Sequence, residues 1–544
     1  MTTYYTDEIN VQVVISLLKQ HGIKKIVASP GATNVSFVAS VQSDSYFEIY
    51  SSVDERSAAY IACGLSAESG EPVVLSCTGA TASRNYMPGL TEAYYRKLPI
   101  LALTSTQDIS KVGHCVPQVI DRSVLPKDIA KLSVSLPIIK DDDDRWECEI
   151  KVNNAILELR RHGGGPVHIN IPTISSKCFN IKKLPDYRLI NRFTPNDILP
   201  KLPDGKIAVL IGAHSRMSKG LEERIDEFCF ENNAVVFCDH TSGYYGRFKV
   251  VFSLVSGQEV FDYSKFIPDL TIHIGEVSGD YYSYGLFRKN VWRVSEDGEI
   301  RDTFRSLSNV FEMTEKYFFD CYANVGKKMI NEYYHECKEV LNDFYSKIPE
   351  LPFSNAWIAS KLSTELPSNA VIHFGILNSL RSWNFYPLPD DVTSSSNVGG
   401  FGIDGCVSTL IGASLANSKK KYYGIFGDLA FFYDMNSLGN RHIGNNIRIL
   451  LVNNGVGVEF RNYNHNAAMF GDDADKFIAA AGHYGKKSID LVKHYAQDLG
   501  FEYICASDKE EFNKLLNKFI ASENSVKPIL FEVFTNVESE SKAL

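Results

Sequence analysis

Short apolar runs bounded by Gly, Pro, Asn or Asp alternate along the chain with stretches whose apolar residues recur at helical spacing. In the first third the strand candidates are KKIVASPG, EPVVLSCTG, LPILALTS and GPVHINIP. In the middle third they are KIAVLIGAH, NAVVFCDH and DLTIHIGE, and in the last third NAVIHFGI, KKYYGIFGD, IRILLVNN, FEYICAS and PILFEVF. Strands alternating with helices predict an α/β chain of doubly wound parallel sheets. Two polar, proline-bearing stretches, 175–197 and 345–355, interrupt the alternation. They set boundaries near 185 and 350 and hence three domains: 1–185, 186–350 and 351–544. No short-period repeat or low-complexity array is present, and the acidic run at 141–144 reads as a solvated turn.

Composition narrows the class. The 544 residues are 44% hydrophobic and 22% charged, the balance of a soluble globular chain. A net charge of −9 gives no global field for nucleic acid. No apolar run is long enough to cross a membrane, and the N-terminal residues lack the basic and apolar regions of a signal peptide. Eleven cysteines without a CxxC pair read as reduced thiols, so a cytoplasmic location is expected.

Chemistry enters at 424–455, GIFGDLAFFYDMNSLGNRHIGNNIRILLVNNG. One strand pattern closes in Gly427-Asp428 and the next in Asn453-Asn454, with a helix pattern between them. Ligands of open α/β sheets bind at the carboxyl ends of strands. Asp428 and Asn454 there offer hard oxygens, and the Val456 carbonyl a third, which suits Mg²⁺ shared with a phosphate. A capped strand end and an ordinary Asn-Asn-Gly turn would produce the same residues.

A second stretch decides between the two. SSVDERSAAYIACGLSAESG reads as a strand ending in Asp54-Glu55 that runs into a small-residue helix. Together with Gly-Asp…Asn-Asn it resembles the thiamine-diphosphate (ThDP) enzymes, a superfamily that includes acetolactate synthase and the pyruvate decarboxylases. The variant Gly427-Asp428-Leu429, SNVGGFGIDG (396–405) and GPVHINIP (165–172) are similar to the menaquinone-pathway SEPHCHC synthases. The resemblance implies three ThDP-type domains: pyrimidine-binding, central and diphosphate-binding. It implies ThDP and Mg²⁺ as cofactors and no flavin, because the middle third resembles the non-flavin relatives. Glu55 is then the catalytic acid toward the cofactor's pyrimidine. Gly427, Asp428, Leu429, Asn454, Ile403, Thr78 and Asn378 bind the cofactor, Ile403 by wedging under it, and Asp428, Asn454 and Val456 hold the metal.

Departures from that family matter for the substrate. Its members usually carry Ser-Pro-Gly-Ser-Arg and Asn-Arg-Gly, whose arginines meet the carboxylates of isochorismate. This chain has Ser29-Pro30-Gly31-Ala32-Thr33 and Asn397-Val398-Gly399. Losing both guanidinium contacts would cost about 1.5–3 kcal/mol each. The resemblance therefore implies a rebuilt acceptor pocket, with Asn34, Arg84, Asn85, Gln118, Ser379 and Arg381 as its candidates and His114 left structural. The expected activity is a carboligase that decarboxylates a 2-oxo acid, pyruvate or 2-oxoglutarate, and transfers the acyl unit to an acceptor such as a sugar-like ketone. A simple decarboxylase or acetolactate-synthase-like enzyme is the alternative; a non-catalytic binding subunit would have lost Glu55 or Asp428. Active sites between copies, in a homodimer or homotetramer, are also implied. GFGIDG (400–405 with its leading Gly) matches a dinucleotide fingerprint but follows no predicted strand, so that reading is set aside.

Overall fold

The computed structural model describes residues 4–122, 124–323, 331–483, 488–521 and 525–543. The chain forms two compact units: residues 1–193 with 299–310, and residues 194–298 with 311–544.

Unit one is built on β1 (Lys25–Ala28), β2 (Glu48–Ser51), β3 (Val73–Cys77), β4 (Ile100–Thr106), β5 (Ser133–Ser135) and β6 (Val167–Pro172). They form one sheet in the order β2-β1-β3-β4-β6-β5, parallel throughout. Every residue of β3, β4 and β6 is buried, as helices on both faces of a parallel sheet require. The edge strand β2 is largely exposed. The same unit holds β7 (Asn191–Phe193).

Unit two contains β8 (Ile207–Ile211), β9 (Ala234–Cys238), β10 (Lys249–Val250), β11 (Leu270–Ile274) and β12 (Val291–Ser295), ordered β10-β9-β8-β11-β12 and parallel. β13 (Leu307–Glu312) spans the point where the chain re-enters this unit. A further sheet of unit two joins β14 (Val371–Phe374), β15 (Thr393–Ser396), β16 (Tyr422–Gly427), β17 (Ile447–Asn453), β18 (Glu502–Ala506) and β19 (Ile529–Phe534). Its order, β15-β14-β16-β17-β19-β18, repeats that of the first sheet strand for strand. The α/β class and the three parallel sheets expected from the alternation are present.

Three local expectations change. The acidic run at 141–144 is no turn: Asp141 caps the helix Asp142–Glu158 through the Asp144 amide, and the other acids occupy its first turn, where the helix dipole favours them. The Gly-rich stretch at 400–405 does follow a strand, β15, and leads into the helix Cys406–Ala416. That strand is Thr-Ser-Ser-Ser, with no apolar alternation to announce it, and it lies at the sheet edge. The strand expected to end at Asp54-Glu55 stops at Ser51, and Asp54 instead caps the helix that begins with Glu55.

Candidate active site

In unit one, Glu55 opens the helix Glu55–Ser69, and the Asp54 carboxylate accepts from the Ser57 amide 2.7 Å away to start it. Gly70, at φ 68°, ends that helix in the left-handed region. The Asn85 amide donates to Glu55 Oε2 at 3.0 Å, so one oxygen of this half-buried acid is held and the other is left for a ligand. Asn85 and Arg84 are exposed on the short helix Thr81–Asn85 that follows the end of β3. Arg84 donates to the Asp121 carbonyl at 2.9 Å. Gln118 is exposed, with φ 64°. Asn34 is buried, and its amide is spent on the Ser29 carbonyl (3.0 Å) and Ser76 Oγ (3.3 Å), so it braces β1 against β3. Thr78 Oγ1 pairs with the Thr33 hydroxyl at 2.7 Å. His114 is an exposed loop residue, as expected.

In unit two, a cavity of about 150 Å³ opens at the carboxyl ends of β14, β16 and β17. Asp428 follows β16 directly as the first residue of the helix Asp428–Asp434. Only 4% exposed, it accepts from its neighbour Leu429 N at 2.7 Å and from Gly455 N at 2.6 Å. Burial pushes its carboxyl up to about 6 against the pull of those amides. Asn454 lies on the same turn, its Oδ1 accepting from Val456 N at 3.3 Å, and Gly455 takes φ 74° between them. Asp428, Asn454, Val456, Gly427, Leu429, Ile403, Asn378 and Ser379 all line this one cavity. Leu377, just ahead of Asn378, takes φ 62°, a strained backbone for a branched residue and one often stored at working sites.

Arg381 is no loose surface group. It forms a two-pronged ion pair with Glu459 at 2.8 and 3.0 Å, and its guanidinium stands 6.0 and 5.8 Å from the ring centres of Tyr281 and Tyr282. Its partner Glu459 lines the cavity. A larger opening, of about 1370 Å³, lies beside Ile207, Asn233 and Ile267, at the amino ends of β8, β9 and β11. Ligands of such sheets bind at the other edge, so the smaller cavity is where chemistry belongs.

Three comparisons bear on what this site is. Residues 10–125 match the family model "Thiamine pyrophosphate enzyme, N-terminal TPP binding domain". The 2-succinyl-5-enolpyruvyl-6-hydroxy-3-cyclohexene-1-carboxylate synthase of Bacteroides fragilis is 32% identical over 99% of this chain and 98% of its own. The protein of that name from Bacteroides thetaiotaomicron is 31% identical over the same shares. The chain belongs to this family of ThDP-dependent enzymes. A solved ThDP-dependent 4-hydroxybenzoylformate decarboxylase from Rhodococcus jostii RHA1 covers 97% of the chain, at a TM-score of 0.41 and 17% identity, and 99% of its own length.

Within this ThDP enzyme the two positions that lack the family's arginines are occupied differently. Thr33 is buried, and its hydroxyl also donates to the Ser105 carbonyl at 3.1 Å; Val398 is buried too. Among the cavity residues that sequence reasoning missed are Glu540 and Asn355, besides Glu459. Glu540, 6% exposed, accepts from Asn355 N at 3.1 Å and from the Thr535 hydroxyl at 2.6 Å. Its burial pushes its carboxyl up to about 7. Asn355 in turn donates its side-chain amide to the Asn378 carbonyl at 3.0 Å. Glu540 stands in VESESKAL, where nothing separates it from Glu538, and only the fold selects it. Among the described residues no helix is long and apolar enough to cross a membrane, and all eleven cysteines are free.

Proposed function

We propose that this ThDP enzyme is a carboligase that decarboxylates a 2-oxo acid, pyruvate or 2-oxoglutarate, and passes the acyl unit to an acceptor carbonyl. The observation that carries the reading is a buried carboxylate, Asp428, with no basic partner among the described residues, at the mouth of a cavity also lined by Asn454. An unpaired buried acid is costly, and a divalent cation with its diphosphate would relieve that cost. A Cβ at Gly427 would meet nothing within 4 Å, so the backbone leaves room for a bound group. These residues fit ThDP with Mg²⁺.

Asp428, Asn454 and the Val456 carbonyl would hold the metal, with Gly427, Leu429 and Asn378 around the diphosphate and Ile403 beneath the cofactor. Bound there, ThDP would supply an acidic thiazolium carbon, nucleophilic once deprotonated, and the electron sink that decarboxylation of a 2-oxo acid needs. Glu55, oriented by Asn85, would offer its other carboxyl oxygen to a ring nitrogen of the cofactor and share a proton with it. The Arg381–Glu459 pair fixes one wall of the cavity, and Ser379 faces it.

A cavity of about 150 Å³ is smaller than the roughly 300–1,000 Å³ of complete small-ligand sites. We take the missing part to be the Glu55 surface of a second copy, which makes the protein at least a homodimer. The exposed Val53, Tyr60, Ile61 and Tyr95, set around the helix that Glu55 opens, support such a contact. Thr33 and Val398 point away from the dianionic acceptor of the family and favour an uncharged one, such as a sugar-like ketone.

The test is CO₂ release and carbon transfer from ¹³C-labelled pyruvate and 2-oxoglutarate, with ThDP and Mg²⁺, across acceptors. One 2-oxo acid should be consumed, at least tenfold faster when a keto sugar is present, with label in the sugar. Free aldehyde released at an acceptor-independent rate would instead make this a simple decarboxylase.

A further inference from the structure

Arg122 is a buried cation that the site described above does not use. It is 5% exposed, and two of its guanidinium nitrogens, Nε and Nη1, have no hydrogen-bond partner. The third, Nη2, reaches only the Ser105 carbonyl at 3.5 Å. Arg122 lines a small cavity of about 20 Å³ together with Arg84, Tyr86, Thr104 and His168. Among the described residues no aspartate or glutamate lines it. His168 is satisfied by Thr104 Oγ1 (2.7 Å) and Ser133 Oγ (2.8 Å), so it offers no counter-charge. Burial, with Arg84 close by, pulls the Arg122 guanidinium down to about 10.

Two arginines on one cavity with no acid is an arrangement that a protein rarely keeps without an anion, because an unpaired buried charge costs several kcal/mol on order-of-magnitude grounds. The place is also telling. Arg122 Nη2 lies 3.8 Å from where a Cβ on Gly79 would be, and that position also faces the Gln118 carbonyl. The cavity therefore sits beneath the 78–86 segment that carries Asn85, the partner of Glu55, with exposed Arg84 as the wall nearest solvent.

We propose that Arg122, with Arg84, is the receiving site for a carboxylate group, and that it fixes which acid this enzyme accepts. This rests on the carboligase reading for the source of that carboxylate, a substrate rather than a free inorganic anion. Arg122 would bring its positive charge to the Ser105 carbonyl, which also accepts from the Thr33 hydroxyl. Its planar fork suits two-pronged pairing with a carboxylate.

The test uses full-length protein without cofactor. Melting temperature is followed against succinate, pyruvate and chloride for wild type, Arg122→Lys, Arg122→Met and Arg84→Ala. Met fills the arginine's space without a buried charge, so the variant should fold at least as well. A carboxylate that binds only the folded protein raises the melting temperature saturably. Succinate or pyruvate should do so for wild type, Arg122→Met should weaken that binding at least tenfold, and Arg122→Lys should fall between. With turnover established, Arg122→Met should raise KM for the 2-oxo acid at least tenfold and change kcat less. Unchanged carboxylate binding in Arg122→Met would overturn the proposal. So would a wild type stabilised by chloride alone, or by no anion, which needs no variant to read. A Glu55→Gln enzyme that still turned over would sink the carboligase reading while leaving the Arg122 binding result to stand.

Discussion

At the scale of single residues, burial raises the pKa of two acids that line the cavity of unit two, Asp428 and Glu540. Glu540 lines the same cavity as Asp428, and its pKa is raised from 4.5 to about 7 by desolvation. The folded protein therefore keeps a proton that the unfolded chain gives up. The stability this contributes is complete below pH 4.5 and is lost as pH rises through about 7. Glu540→Gln removes the penalty while keeping an acceptor for Asn355 N. It should stabilise the cofactor-free protein by about 3 kcal/mol at pH 8, since each pKa unit is worth about 1.4 kcal/mol, and by almost nothing at pH 4.5. Urea unfolding at the two pH values checks this, and an equal gain at both would show that charge is not the cause. That Asp428 and Asn454 meet at one cavity was legible in the sequence, because Gly-Asp and Asn-Asn close strands with distinctive patterns. Glu540, Asn355 and Glu459 were not legible, since their roles come from contacts between segments far apart in the chain, and nothing local distinguishes Arg122 from a surface arginine.

At the scale of elements, the position of Glu55 depends on how closely its helix meets a neighbour. A Cβ on Gly89 would stand 2.4 Å from Ala59 Cβ, one turn along the helix from Glu55. The Gly89 carbonyl also accepts from Cys63 Sγ at 3.3 Å, and Asn85 lies one turn before Gly89. Gly89→Ala should therefore push the two helices apart and shift both Glu55 and Asn85. A cost of about 1–3 kcal/mol is expected from overpacking, outweighing the helix preference for alanine of about 1 kcal/mol. Thermal melts and kcat of the variant check this; a variant more stable than wild type would mean the contact has slack. The central strands were legible because parallel strands buried on both faces read as continuous apolar runs. Two edge strands were less legible: β2 is exposed and β15 is Thr-Ser-Ser-Ser, so both are held by backbone pairing rather than by a side-chain pattern, whereas the edge strand β18 showed as FEYICAS.

At the scale of the whole molecule, two sheets share one strand order, β2-β1-β3-β4-β6-β5 and β15-β14-β16-β17-β19-β18. That shared order was invisible in the sequence, which shows no short repeat, because the same path can be built from unrelated apolar residues. One of these sheets carries Glu55 and the other Asp428, and the proposed enzyme brings them together from two copies. Co-expressing Glu55→Gln with Asp428→Asn tests that most directly. Each variant alone should release no CO₂ from the 2-oxo acid. Random pairing of the two should restore about a quarter of wild-type turnover, because one site in four then draws an intact Glu55 and an intact Asp428 from different copies. Turnover by either variant alone, or none from the mixture, would contradict a ThDP site shared between copies.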